Sequence, residues 1–547
     1  MNVATAATGK NGVVATGDAY AAGAALTILD QGGNAADAAA AALLVLSVTS
    51  IGATCLGGEV PIIVYNERTA GIQVLAGLGA APLEANGIAW YLQHGTHSSD
   101  ITVAAVPALM DACITLLHSC GSMSFEQVAQ PVLEVLRKGR PSWYTDTALQ
   151  ERLDALTGKQ VTAAELLMAE NSRWSTQLAT TLAALVRAEQ LATGGRQQGL
   201  IGVRERFYRG DIAQDLAQWY AANGAFLRAH DLAGHGTPIE EPVVAEYRGY
   251  KVHKCGPWTQ GPWLLQALKV LEGFDIANMD TTSADYIHTV TEAMKLCLAD
   301  RDHYYGDPLF NDIPVNELIS NDYAQLRRGL IHPGHSTARP LPGDPRAMRP
   351  TCEQPNMCHS STNGTTVCIV ADRNGNIVVA TPSGCGSTAG SGGRTGVTHG
   401  TRLRNFNSTA KHPNCIGPGK RPSVTLSPTL VTKHGKPVLA LSVTSGDLQD
   451  QVALQRIIDF VDFSNSIYDS ARALRFYTGR LRSAHDGHCT DDLGLFVPGH
   501  IEPTVTEELA RRGHRIKATS LTVGQAAVSM DRETGVAHAM GNACGAL

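Results

Sequence analysis

A few short stretches of this chain carry residue types that do chemistry, and each also has an ordinary alternative. Gly384–Gly396, GCGSTAGSGGRTG, has the glycine density of a phosphate cradle. It lacks a Walker lysine and the G-x-G-x-x-G spacing, so it reads as a flexible loop near a site. Ser408-Thr409-Ala410-Lys411 has the S-x-x-K spacing that sets a lysine beside a serine nucleophile, but it lies in a polar loop with no K-T-G stretch elsewhere. Asp300 and His303 are spaced to share a helix face, where Asp300-Arg301-Asp302 reads as ion pairs and terminal hydrogen bonds. His485-Asp486-Gly487-His488 offers metal ligands, yet nothing local completes a set of four. At Gly364-Thr365-Thr366 a polar, non-periodic run ends and a strand begins. A threonine hydroxyl attacks a carbonyl only if a neighbour takes its proton, and the residue pattern alone does not single out Thr365.

The elements around these residues follow from periodicity and caps. Asp18 is placed to cap a first helix that stops at Gly32-Gly33, and Asn34 with Asp37 forms a capping-box pattern for an alanine-rich second helix. Strands are expected at Val60 to Tyr65 and Gly71 to Leu75. A mainly helical region should follow from about 105 to 235, then helices from Pro262 to Leu271 and from Ala284 to about His303. Pro333 to Gly364 reads as an exposed loop or linker. Thr365 to Ala371 and Ile377 to Thr381 form a hairpin about Asn374-Gly375, the strongest short hairpin cue. Similar hairpins are expected at Leu430–Thr432 with Val438–Val443, and at Ala526–Met530 with Val536–Met540. Hairpins with helices elsewhere imply antiparallel sheets covered by helices.

Composition excludes several classes. The chain has 547 residues, 44% hydrophobic and 17% charged, with 55 glycines, which is globular rather than disordered or collagen-like. Its net charge is −6 with no long basic run, so nucleic acid is not an expected partner. The apolar stretch Ala38 to Val48 is too short to span a bilayer, and the first residues do not read as a leader, so a cytoplasmic protein is expected. Twelve scattered cysteines without a C-x-x-C pair read as reduced thiols, with neither disulfides nor a zinc site expected. No cofactor is expected.

Blocks along nearly the whole chain resemble the γ-glutamyltransferase (γ-glutamyltranspeptidase) family of N-terminal-nucleophile hydrolases. They include Gln31–Leu46 (QGGNAADAAAAALLVL), Leu56–Tyr65 (LGGEVPIIVY), Phe207–Gln218, Glu246–Val252 and Ala267–Asp275. Glu292–Phe310 (EAMKLCLADRDHYYGDPLF), Gly364–Val379 and Gly417–Val431 complete the set. The resemblance implies an α+β, four-layer αββα sandwich of two antiparallel sheets between helical layers. It also implies self-cleavage between Gly364 and Thr365, giving a large subunit of residues 1–364 and a small one of residues 365–547 in one domain.

Thr365 would then be the nucleophile, with its own freed α-amine as base. Ser383 stands where the family has a supporting hydroxyl, and Ser445 and Gly446 where paired glycines supply oxyanion N–H groups. The glutamate clamp departs from the family. Leu78 replaces its arginine, Arg404–Asn407 offers no carboxylate, Val424 and Thr425 replace two serines, and Cys385 replaces an asparagine. The expected activity is therefore amide or related carbonyl chemistry on a small molecule other than glutathione, through a Thr365 ester. The alternatives are a carbon–carbon bond hydrolase of the alkylproline type in antibiotic biosynthesis, and a degenerate member acting as a binding protein. A cysteine hydrolase through Cys368 or Cys385 ranks last.

Overall fold

The computed structural model describes residues 5–98, 100–138, 171–352, 364–384, 390–479, 494–520 and 523–547. Its first helices begin where their caps sit. Asp18 accepts the Ala21 N–H at 2.9 Å and opens Ala19–Asp30. Asn34 accepts the N–H groups of Ala36 and Asp37, and Asp37 accepts the Asn34 N–H in return, which opens Ala35–Thr49. Every residue of that second helix is buried, because alanine side chains let neighbouring elements approach on all sides.

Two seven-stranded sheets form the centre, and every strand pair in them is antiparallel. The first sheet runs Ala543–Ala546, Gly12–Thr16, Cys368–Asp372, Ile377–Ala380, Val60–Asn66, Gly71–Gly77 and Ile239–Glu240. The second runs Thr5–Gly9, Ala537–Gly541, Gln525–Met530, Lys436–Val443, Thr429–Lys433, Tyr250–Lys254 and Val243–Tyr247. Alternate residues face inward, as the pleat requires. Ile63, Val367, Ile369 and Val379 of the first sheet meet Leu430, Ala440 and Val528 of the second in one apolar layer. The opposite face of the first sheet packs under helices that include Ala35–Thr49 and Leu109–Cys120. That of the second packs under Gly261–Leu271, Ala284–Tyr304 and Leu448–Val461. The order helix, sheet, sheet, helix is the α+β four-layer sandwich that the family resemblance implies. No helix among the described residues is long and apolar enough to cross a membrane.

Three features depart from expectation. The strand expected from Thr365 begins at Cys368, and Thr365 makes only an isolated bridge to Ser383. Thr366 N–H donates to Pro382 O at 3.0 Å, but Pro382 has no N–H with which to continue a ladder. The segment after Pro333 is irregular as expected, yet its described part is pinned rather than simply exposed. Glu292 accepts the Thr337 N–H, Asp300 accepts the Gly343 N–H, and Arg327 donates to the carbonyls of Leu341 and Pro350. A small third sheet, Tyr477–Thr478, Leu495–Pro498 and Ile516–Thr519, contains a parallel pair that no local pattern announces. Cys385, Cys358, Cys489, residues 353–363 and the His485–His488 loop lie outside the described residues.

Candidate active site

Three strand ends of the first sheet meet beside Gly364. Ser383 is bridged to Glu59 on one side and to Thr365 on the other, both antiparallel. Directly paired residues project from the same face of a sheet. Glu59 keeps the alternation of Ile63, Thr365 that of Val367 and Ile369, and Ser383 that of Val379, all of which face the other sheet. The side chains of Glu59, Ser383 and Thr365 therefore form a row at the end of the cleft between the sheets. Glu59 and Ser383 exchange both backbone hydrogen bonds at 2.9 Å. Thr365 and Ser383 form a pair flanked by the Thr366-to-Pro382 bond, the narrower kind in which side chains approach most closely.

The hydroxyl of Ser383 donates to the carbonyl oxygen of the Gly364–Thr365 peptide, the C–N bond of which cleavage before Thr365 would break. The guanidinium of Arg402, in the 3-10 turn Arg402–Asn405, donates to the Ser383 oxygen at 2.6 Å and forms an ion pair with Glu59. It also donates to Asn405 Oδ1 at 2.9 Å. Burial pushes the Glu59 carboxyl above the ordinary glutamate range, against the opposing pull of Arg402 and of the Ser383 hydroxyl.

The other half of the site comes from the second sheet. Thr381 and Ser442 touch across the cleft through hydroxyls 2.9 Å apart. Ser383 follows Thr381 by two residues, and Ser445 and Gly446 follow Ser442 by three and four, so both segments reach the same end of the sandwich. Ser445 has φ 77° and Gly446 φ 56°, a left-handed turn that suits the second residue better than the first. The N–H groups of Ser445 and Gly446 donate to nothing among the described residues.

Behind that turn lies a buried polar frame. Gln260 donates to Gly446 O at 3.3 Å, and Arg301 donates to Gln260 at 3.1 Å and pairs with Asp447. Lys254 binds Asp450 at 2.7 Å, and Gln449 accepts the Ser427 N–H at 3.2 Å. The start of helix Leu448–Val461 is thus held at its cap, Asp447, and at Gln449 and Asp450 of its first turn.

Leu78 and Val424 are both buried in the apolar layer that contains Val367, and Thr425 is buried next to Val424. Arg421 is committed elsewhere: Asp307 holds it at 2.9 Å, Glu240 at 3.3 Å, and its guanidinium stacks on Trp258. Arg404 is half-buried, and its Nε meets no hydrogen-bond partner among the described residues. Asp300 is tied to Arg327, Gln266, Tyr323 and Gly343, the ion-pair role its sequence suggests. Cys368 faces the helical layer, and burial pushes its thiol up to about 12, which leaves it inert. Glu59 has no role in the sequence reading. What marks it is a lone carboxylate opening an otherwise apolar strand, since such a group needs a buried partner.

The γ-glutamyltranspeptidase family model matches residues 21–544. The chain is 28% identical over 550 residues to the glutathione hydrolase proenzyme of Bacillus subtilis (strain 168), covering 96% of this chain and 89% of that one. It is also 28% identical over 545 residues to the acylase ACY 1 proenzyme of Pseudomonas sp. (strain V22), covering 95% and 89%. Among solved structures it resembles LmbA, with a TM-score of 0.87 and 28% identity over 98% of this chain and 97% of the other. The cephalosporin acylase from Bacillus halodurans shares the fold, with a TM-score of 0.82 and 24% identity over 99% and 97%. A match over nearly the whole chain, on a sandwich whose cleft ends in this row of polar residues, means that the chain belongs to the γ-glutamyltranspeptidase family and is an enzyme of the N-terminal-nucleophile hydrolase type.

Proposed function

We propose that the chain cuts itself between Gly364 and Thr365 and then acts as an acyl hydrolase or acyltransferase. Its substrate would be an amide, or a related carbonyl compound, that is not γ-glutamyl. The observation that carries this is the pairing of Thr365 with Ser383 at the cleft end, beside a buried wall containing Leu78 and Val424.

After cleavage Thr365 holds a hydroxyl and an α-amine on adjacent carbons. The amine, with an ordinary pKa near ~8, takes the hydroxyl proton as Oγ attacks the substrate carbonyl. The negative charge that develops on the carbonyl oxygen is offered the free N–H groups of Ser445 and Gly446. The proton then passes from the amine to the leaving group, and an ester of Thr365 remains for water or an acceptor to open. Residues 1–364 and 365–547 would stay together, because each sheet is built from strands of both.

The acyl group is expected to be less zwitterionic than glutamate. Leu78 and Val424 offer no charge, and Arg402 and Arg421 are already neutralised by Glu59, Asp307 and Glu240. The acylase names among the relatives agree with such a substrate. A second possibility keeps Thr365 and changes the bond: a ketone carbonyl attacked in the same way, with a carbon–carbon bond broken. The same uncharged wall suits it. A mere binding role has less support, since it gives Thr365, Ser383 and two free N–H groups no reason to converge. Mass spectrometry in denaturant tests the proposal. Two fragments, the smaller beginning Thr365-Thr366-Val367, are expected, together with a substrate-derived ester on Thr365 after rapid quenching. One intact, active chain would refute it.

A further inference from the structure

We propose that Glu59 and Arg402 are positioning residues for self-cleavage: the buried pair directs the single proton of Ser383 onto the carbonyl of Gly364. This rests on the proposal that the chain cuts itself before Thr365.

The assignment follows from counting donors and acceptors. A serine hydroxyl has one proton and two lone pairs. Arg402 fills one lone pair at 2.6 Å, and a guanidinium only donates, so it cannot take the proton. Two acceptors remain in reach: the Gly364 carbonyl and the Glu59 carboxylate. An ionised carboxylate is the stronger acceptor and would win if it stood alone. Arg402 binds that carboxylate directly, and so weakens its claim on the serine proton. The same cation polarises the hydroxyl from behind, which makes Ser383 a better donor to Gly364 O.

The cleavage step then balances as follows. Thr365 Oγ forms a bond to the carbonyl carbon of Gly364, and the oxygen that becomes negative is the one Ser383 already holds. The bond from that carbon to the Thr365 nitrogen breaks, the Oγ proton ends on that nitrogen, and an ester is left. Water opens the ester, giving a Gly364 carboxylate, the Thr365 hydroxyl and a free α-amine. No co-reactant other than water is required. The donor on the developing oxyanion is a side chain set by an ion pair, separate from the N–H groups of Ser445 and Gly446.

The groups facing Glu59 are the Arg402 guanidinium and the Ser383 hydroxyl, and burial raises its carboxyl. Without Arg402 it would rise further. Lowering the pH would then protonate Glu59, remove the competing acceptor and return the Ser383 proton to Gly364 O. A change that merely damages packing would show no such recovery.

The test is a pulse of cell-free synthesis, dilution into buffers from about pH 5 to about pH 8, and a denaturing gel that resolves one chain from two. Arg402→Gln is expected to cleave about tenfold or more slowly than wild type at the upper pH, a deficit in the range of orienting groups. The deficit should shrink as the pH falls. Arg402→Lys, which keeps the charge and loses the fork, should fall between the two. The double variant Glu59→Gln/Arg402→Gln buries no net charge and covers the case in which the single variant fails to fold. It should cleave more slowly than wild type, by a factor that does not change with pH. Wild-type rates in the folded double variant, or a deficit in folded Arg402→Gln that is constant with pH, would overturn the assignment. If wild type itself never cleaves, the proposed function fails instead, so the two failures are distinguishable.

Discussion

The hydroxyls of Thr381 and Ser442 lie 2.9 Å apart and join the two sheets at one end of the sandwich. Thr381 lies two residues before Ser383, and Ser442 three before Ser445. This contact sets the distance between the Ser383 hydroxyl on one sheet and the Ser445-Gly446 turn on the other. Thr381→Val with Ser442→Ala would change little volume but remove that contact. The double variant should fold with lowered turnover, seen as a fall in kcat with a smaller change in KM.

Thr365→Ala should remain a single chain without activity, because both the attacking oxygen and the freed-amine arrangement are lost. Thr365→Ser keeps the hydroxyl and should cleave, more slowly. Intact mass reads both outcomes. A cleaved and active Thr365→Ala protein would remove Thr365 from the site.

Ser383→Ala takes away the only side-chain donor on the Gly364 carbonyl among the described residues. Self-cleavage should slow by about 10²–10⁴-fold, the usual weight of an orienting or proton-handling group. The fold should survive, so circular dichroism should match wild type while the one-chain form accumulates.

Ser445 occupies a left-handed conformation, φ 77°, that costs a non-glycine residue about 1–3 kcal/mol. Ser445→Gly should therefore keep activity and unfold at a temperature no lower than wild type. Ser445→Val, branched at the strained position, should lose both stability and turnover. Thermal unfolding and initial rates on the same preparations separate the two effects.

Acid should destabilise the protein through buried neutral histidines. Burial lowers His399 and His253 from 6.5 to about 4. Below 6.5 the unfolded chain takes up these protons while the folded chain refuses them. The stabilisation is complete above that pH and is lost as the pH falls towards 4. Each histidine adds up to about 1.4 kcal/mol per pH unit to the slope. His399→Gln keeps an acceptor for the Tyr220 hydroxyl, 2.6 Å away in wild type. In urea titrations at several pH values it should flatten the slope by about one proton. An unchanged slope would mean that His399 is already protonated in the fold.

On substrates, γ-glutamyl-p-nitroanilide should be turned over poorly. Losing about 3 kcal/mol of carboxylate binding weakens affinity by roughly a hundredfold. Rates ordinary for γ-glutamyltransferases would mean that Arg404 or another group has rebuilt the clamp. An uncharged acyl anilide assayed beside it provides the contrast.

Much of this protein is legible along the chain because the responsible forces are local. Asp18 and Asn34 cap their helices from adjacent turns, and Asn374-Gly375 makes its hairpin, with Gly375 at φ 89°, because the backbone needs that conformation there. The succession of blocks implied the family and, with it, the layered sandwich. Thr365, Ser383, Ser445 and Gly446 were nameable only through that resemblance, since a lone hydroxyl carries no mark of its neighbours. What tertiary structure alone decided is charge pairing over long separations. Glu59 and Arg402 are 343 positions apart, and so nothing in either local sequence foretells their contact. Arg421 is likewise neutralised by Asp307 and Glu240, 114 and 181 positions away. The strand expected at Thr365 shortened because its partner segment carries Pro382, which has no N–H to offer. Local propensity fixes where elements begin. Which buried charges neutralise one another depends on how the sheets stack, and that is settled only when the whole chain has closed on itself.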